Sequence, residues 1–284
     1  MDDVPYSAQE WRQVLASGLP PSSLHPQRLR KSVLLGLPAH LRGAIWPYLS
    51  RSQGLSQCFS SNVYARLLRS SNKEIEEAVA RDVYRTFPSE DMFGERDGYG
   101  QRGLMNVLKA YAAYDPQVGY CQGMGFVVGM LLIEMYTEED AFWQFVQIMQ
   151  GYSWRCMFQY APHRPSTPRL LTFTQELANR LLVRLPDLHS HLETEEVSVE
   201  VPFTPLIMTI FACGMPHELA VRVMDAFLID GEEGLFVLLL RMLEAKEKDI
   251  LELEGEALYV YLKSKLAVEC FQQLSFEALL TPFV

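Results

Sequence analysis

The sequence predicts an all-α fold, and three observations carry the prediction. Apolar residues recur at spacings of three and four along nearly the whole chain, the period of a helix with one buried face. Capping residues stand where those stretches begin and end. Alternation of period two occurs at Val197, Val199 and Val201 and runs straight into Pro202, so one short extended piece at most is expected, and no sheet.

The first helix opens at Ser7, which forms a capping-box pattern with Glu10; Tyr6 and Trp11 are placed as a hydrophobic staple, and Gly18 ends the element. Pro38 precedes a helical face of Leu41, Ile45, Trp46 and Leu49. Ile75, Val79, Val83 and Thr86 form a second stripe, and Pro88 implies a helix end just before it. Thr137 with Asp140 starts a helix that carries Phe142, Trp143, Phe145 and Val146. Pro216 suits the first turn of another, through Leu219, Val223, Phe227 and Leu228 to Gly231. Long apolar-periodic segments at 233–247 and 256–274 complete the chain. Residues 151–168 hold three prolines and little periodicity, which marks them as the connection within a single domain of two packed helical lobes, about 1–150 and 169–284.

A chain of 284 residues, 49% apolar and 21% charged, buries a full core. Its formal charge of -10 argues against nucleic acid, whose phosphates require a basic face. The charge is uneven: residues 1–110 hold 14 Lys/Arg and 11 Asp/Glu (+3), leaving 11 against 24 (-13) for the remainder, so an anionic ligand is expected on the first part. The five cysteines are widely spaced with no CxxC pair, which fits a reducing cytosol. The start, MDDVPYSAQEW, does not read as a signal peptide. The most apolar run, Gly123 to Ile133, covers about 11 residues against the ~20 that a bilayer crossing needs, so no direct membrane insertion is expected.

Familiar catalytic patterns are missing. The sequence has no GxxxxGK[ST] loop, no GxSxG elbow and no HExxH, and its six histidines lack ligand spacing. Neither a metal nor a cofactor of its own is expected.

Three segments stand out instead. Gly36 to Ser50 places Arg42 beside an apolar helical face; alone, it reads as a core helix. Ile75 to Pro88 places Asp82 three residues before Arg85, to one side of the stripe, with Arg85 in the last turn. Alone, this is an exposed ion pair worth a few tenths of a kcal/mol. Val118 to Met130 spreads Gly119, Gly123, Gly125 and Gly129 through apolar sequence, although each glycine costs a helix about 1 kcal/mol relative to alanine. Close packing through small residues at spacing four explains them; so does a turn that presents Gln122 by its backbone as the chain enters a buried helix.

Together and in this order, these segments resemble the signature motifs of the TBC domain, the family of GTPase-activating proteins for Rab GTPases. The Arg-Gly-x-x-Trp pattern is met by Arg42, Gly43 and Trp46; Ile-x-x-Asp-x-x-Arg by Val79, Asp82 and Arg85; Tyr-x-Gln-Gly-Met by Tyr120, Gln122, Gly123 and Met124. Weaker similarity extends the match to about Gly36–Leu243. Val79 departs from the usual Ile, Gly125 from Asn, Met224 from the Trp before Asp225, and Pro202-Phe203 from a Trp-Phe pair. None of these removes a group that the family's chemistry requires.

The resemblance implies an activator with no independent enzymatic activity. Arg85 would be an arginine finger and Gln122 a glutamine finger, the catalytic pair supplied in trans, with Asp82 orienting Arg85. Tyr120, Gly123, Arg42 and Trp46 would support them structurally. The partner implied is a Rab-family small GTPase in its GTP-bound state, which itself holds the GTP and Mg²⁺. The chain would be a monomer in the cytoplasm, recruited to membranes through that GTPase. The alternative is a scaffold of the same fold that binds a GTPase without hastening hydrolysis; the presence of both Arg85 and Gln122 speaks against it.

Overall fold

The computed structural model describes residues 4–70, 72–159 and 167–281. Among the described residues every regular element is helical and none is a strand. The chain divides into two compact units, residues 1–32 with 37–160, and residues 33–36 with 161–284.

In the first unit the helices are α1 (Ala8–Ser17), α2 (Pro26–Leu35, whose end belongs to the second unit), α3 (Arg42–Ser50), α4 (Ser52–Gln57), α5 (Val63–Leu68), α6 (Lys73–Val83), α7 (Asp91–Gly94), α8 (Tyr99–Tyr114), α9 (Met124–Glu134) and α10 (Glu138–Gly151). The expected start of α1 is realised in full: Ser7 and Glu10 cap one another reciprocally, the Tyr6 and Trp11 rings lie 5.3 Å apart, and Gly18 takes a left-handed conformation. Thr137 caps α10 through the Asp140 amide. At the centre α8, α9 and α10 pack on one another, with α6 against α8 and α9, and α3 and α4 against α10. Val127, Val128, Met130 and Leu131 of α9 have no exposed surface, so this helix is apolar nearly all round, as a helix in the middle of a bundle must be. Each such side chain contributes about 1.5–3 kcal/mol on burial, which offsets the glycines in the same helix.

In the second unit, α11 (Pro168–Arg184), α12 (Pro186–Thr194), α13 (Glu200–Met208), α14 (His217–Asp230), α15 (Glu232–Ala245), α16 (Glu247–Leu251), α17 (Gly255–Val260), α18 (Leu266–Gln273) and α19 (Phe276–Leu280) follow. Phe173 of α11 stacks on Phe236 of α15 at 4.0 Å, and Arg180 caps the same ring at 4.1 Å. The segment expected over 256–274 is α17 and α18 joined by a π-helical turn, Tyr261–Lys265. The Val197–Val201 alternation ends in a helix rather than a strand, because Pro202 sits in the first turn of α13, where its missing N–H costs nothing. Of the connection expected over 151–168, residues 160–166 lie outside the described set. The described part is ordered: Trp154–Met157 form a 3-10 turn packed on α10, with Trp154, Met157 and Phe158 buried.

Candidate functional site

The geometry begins at the end of α6. Asn72 caps the helix by accepting from the Ile75 amide at 3.2 Å, and Val79 and Val83 bury its inner face. The helix ends at Val83, two residues before Arg85, so Arg85 is not in its last turn as the sequence predicts; the chain tightens there, Arg85 N–H donating to the Asp82 carbonyl at 3.1 Å and Thr86 N–H to that of Val83 at 3.2 Å. Arg85 therefore stands just beyond the helix. Its side chain is 52% exposed, while the Asp82 carboxylate that holds its Nη2 at 2.7 Å is 14% exposed. An ion pair this open adds little stability; what it fixes is the direction of the guanidinium.

Gln122 is mounted from the other side. The turn between α8 and α9 folds back on the Asp115 carbonyl, which accepts from Val118 N–H at 3.2 Å and Gly119 N–H at 2.8 Å. Asp115 is itself buried and gripped by both ends of the Arg155 guanidinium, at 2.9 and 3.0 Å, with the Tyr111 hydroxyl donating at 3.2 Å. Gly119 and Gly123 adopt φ of +65° and +100°, which a side chain would strain. Between them Gln122 is exposed, and its carboxamide forms no hydrogen bond among the described residues.

Asp82 joins the two mounts. Its second oxygen accepts from the Tyr120 hydroxyl, so one carboxylate orients Arg85 and also grips the residue two before Gln122. Burial, with the bond to Asp82 adding to it, raises the Tyr120 pKa far above the ordinary phenol value and keeps that donor protonated. Burial likewise pushes the Cys121 thiol up to about 11.

Both readings of the glycines hold, at different positions. Gly119 and Gly123 serve the turn, whereas Gly125 and Gly129 serve packing: a Cβ on Gly125 would stand 3.1 Å from Thr86 Oγ1, and one on Gly129 would stand 2.8 Å from the Phe87 ring. The segment following Arg85 thus lies directly on the helix following Gln122. Small residues at spacing four are the sequence signal for this contact; nothing in the sequence pattern marks Thr86 and Phe87 as its other half, or the Arg155 grip on Asp115.

Arg42 and Trp46 are not part of this cluster. Trp46 is fully buried and Arg42 is 7% exposed. Gly43 between them packs at the far end of α9, where a Cβ would meet the Glu134 carbonyl at 2.7 Å. Eleven residues of helix, about 16 Å, separate that contact from Gln122. The α3 segment packs chiefly on α10 and meets the far end of α9 at Gly43.

Comparison with known proteins bears on the family and the fold. A family model described as the Rab-GTPase-TBC domain matches residues 39–251. The Drosophila melanogaster ecotropic viral integration site 5 ortholog is 35% identical over 232 residues, covering 81% of this chain and 27% of the relative. The Caenorhabditis elegans Rab GTPase-activating protein eat-17 is 32% identical over 243 residues, covering 85% of this chain and 26% of the relative. The chain therefore spans about a quarter of the length of these curated relatives. A crystal structure of the Chlamydomonas flagellar RabGAP TBC domain shares the fold with a TM-score of 0.78 at 20% identity, covering 95% of this chain and 87% of that one. With the match covering most of its length, this chain belongs to the Rab-GTPase-TBC domain family.

Proposed function

We propose that this chain accelerates GTP hydrolysis by a GTP-bound Rab-family GTPase, presenting Arg85 and Gln122 to its active site. The observation that carries the proposal is the Asp82 carboxylate shared between Arg85 and Tyr120, which sets two exposed polar side chains on one rigid support. A small GTPase alone is slow because charge developing on the phosphoryl oxygens lacks a counter-charge and the attacking water is loosely held. Arg85 supplies a permanent planar cation that bridges phosphate oxygens, an effect worth ~10³ to 10⁵ in rate for activating arginines generally. Gln122 supplies a donor and an acceptor on one carboxamide, suited to orienting water. In this scheme GTP and Mg²⁺ are brought by the partner, and the activator works as a monomer on the cytoplasmic face of the membrane that carries it. The name of the nematode relative, a Rab GTPase-activating protein, favours the same reading.

A hydrolysis screen of GTP-loaded Rab GTPases tests it. At least one is expected to be accelerated by the wild-type chain and not by Arg85→Lys, which keeps the charge and loses the planar fork. Acceleration of none across the Rab panel contradicts the proposal.

A further inference from the structure

The residues immediately after Arg85 have no role in the scheme above, yet their geometry is unusual. Phe87 adopts φ +50°, a left-handed conformation unfavourable for any residue with a Cβ, and such strain persists only where the surroundings enforce it. Its ring is 8% exposed, lies edge-on to Phe126 of α9 at 5.6 Å and tilts against Phe93 at 6.1 Å. Beneath it α9 is bare: a Cβ on Gly129 would stand 2.8 and 2.9 Å from two ring carbons and 3.4 Å from Thr86 Cγ2. One turn earlier Gly125 receives Thr86, whose hydroxyl donates to the Asp82 carbonyl at 2.9 Å. An apolar residue needed only to fill the core could do so from an ordinary backbone conformation. Here the backbone bends into a disfavoured one to lay the ring in a notch.

We propose that Phe87 is a positioning residue for Arg85: an aromatic latch, seated in the notch left by Gly125 and Gly129, that fixes the turn carrying Arg85 onto the helix that follows Gln122. This inference rests on the proposed function. Because Phe93 and Phe126 hem the ring in, a methyl group at residue 129 displaces the turn rather than the ring. Arg85, two residues away, moves with it. Misplacement of a catalytic group by about 1 Å costs on the order of 10²-fold in rate, so a fraction of that shift is readily measured.

Single-turnover GTP hydrolysis on the Rab GTPase that the wild type accelerates most tests the latch, with Gly129→Ala, Phe87→Leu, their double variant and Arg85→Ala, and a thermal melt of each. Gly129→Ala is expected to lower the saturating rate about tenfold, with the half-saturating concentration unchanged within about twofold. Phe87→Leu is expected to lower it at least about threefold in the same manner. The double variant should match Phe87→Leu alone, since the smaller side chain clears the added methyl. Should Gly129→Ala fail to fold, Phe87→Leu decides. Wild-type saturating rates for the folded variants, or losses confined to the half-saturating concentration, overturn the latch; if Arg85→Ala has meanwhile lost activity, the proposed function stands. An undiminished rate for Arg85→Ala refutes the proposed function itself.

Discussion

The Tyr120 hydroxyl donates to one oxygen of Asp82 while the other oxygen holds Arg85 at 2.7 Å, so a single carboxylate ties the end of α6 to the turn before α9. Tyr120→Phe keeps the ring and removes the donor. The Arg85 contact survives, but Asp82 loses the bond that fixes its rotation. The saturating rate of activated hydrolysis is expected to fall about fivefold, equivalent to roughly 1 kcal/mol, at unchanged half-saturation. Asp82→Asn, which weakens both contacts, is expected to cost more. Single-turnover assays of the two variants check the order.

Much of this architecture is legible in the sequence, and what escapes has a common cause. Ser7, Glu10 and Gly18 specify the first helix through neighbours in sequence, and Thr137 specifies the start of α10 in the same way. Local chemistry of that kind can be read directly. Asp82 and Arg85 could be paired by their spacing, whereas Tyr120, 38 residues from Asp82, joins them only through tertiary packing. The left-handed Phe87 is invisible to propensity, because the packing of α9 overrides what a phenylalanine would adopt alone. Trp46 belongs to a recognisable motif, yet its depth and its distance from Gln122 needed the fold.

Arg155 anchors the Gln122 turn from outside any motif. Its guanidinium is 27% exposed and the Asp115 carboxylate 6%, so Arg155→Ala leaves a nearly buried charge with the Tyr111 hydroxyl as its remaining side-chain donor. Breaking a fully buried pair costs 3–5 kcal/mol; partial exposure of Arg155 reduces that to about 2 kcal/mol. A thermal melt should show Tm lower by about 4–8 °C. A Tm within about 1 °C of wild type would mean that solvent reaches Asp115 freely.

Cys121 lies beside Gln122, and burial pushes its thiol up from the ordinary value of about 9 to about 11. A raised folded-state pKa favours the neutral thiol. The stability that this contributes is complete below pH 9 and is lost as pH rises through 11. At pH 8 an alkylating reagent should therefore spare Cys121 while labelling the exposed Cys58, with activity retained. Mass spectrometry of the labelled chain reads this directly; rapid modification of Cys121 at pH 8 would contradict the burial.

Whether Arg85 and Gln122 act in the chemical step is read by single-turnover GTP hydrolysis on an accepted Rab GTPase with Arg85→Ala and Gln122→Ala. Each variant is predicted to lose about 10²-fold or more of the saturating rate while still binding the GTP-bound Rab. Wild-type rates for both variants would exclude the two side chains from the chemical step.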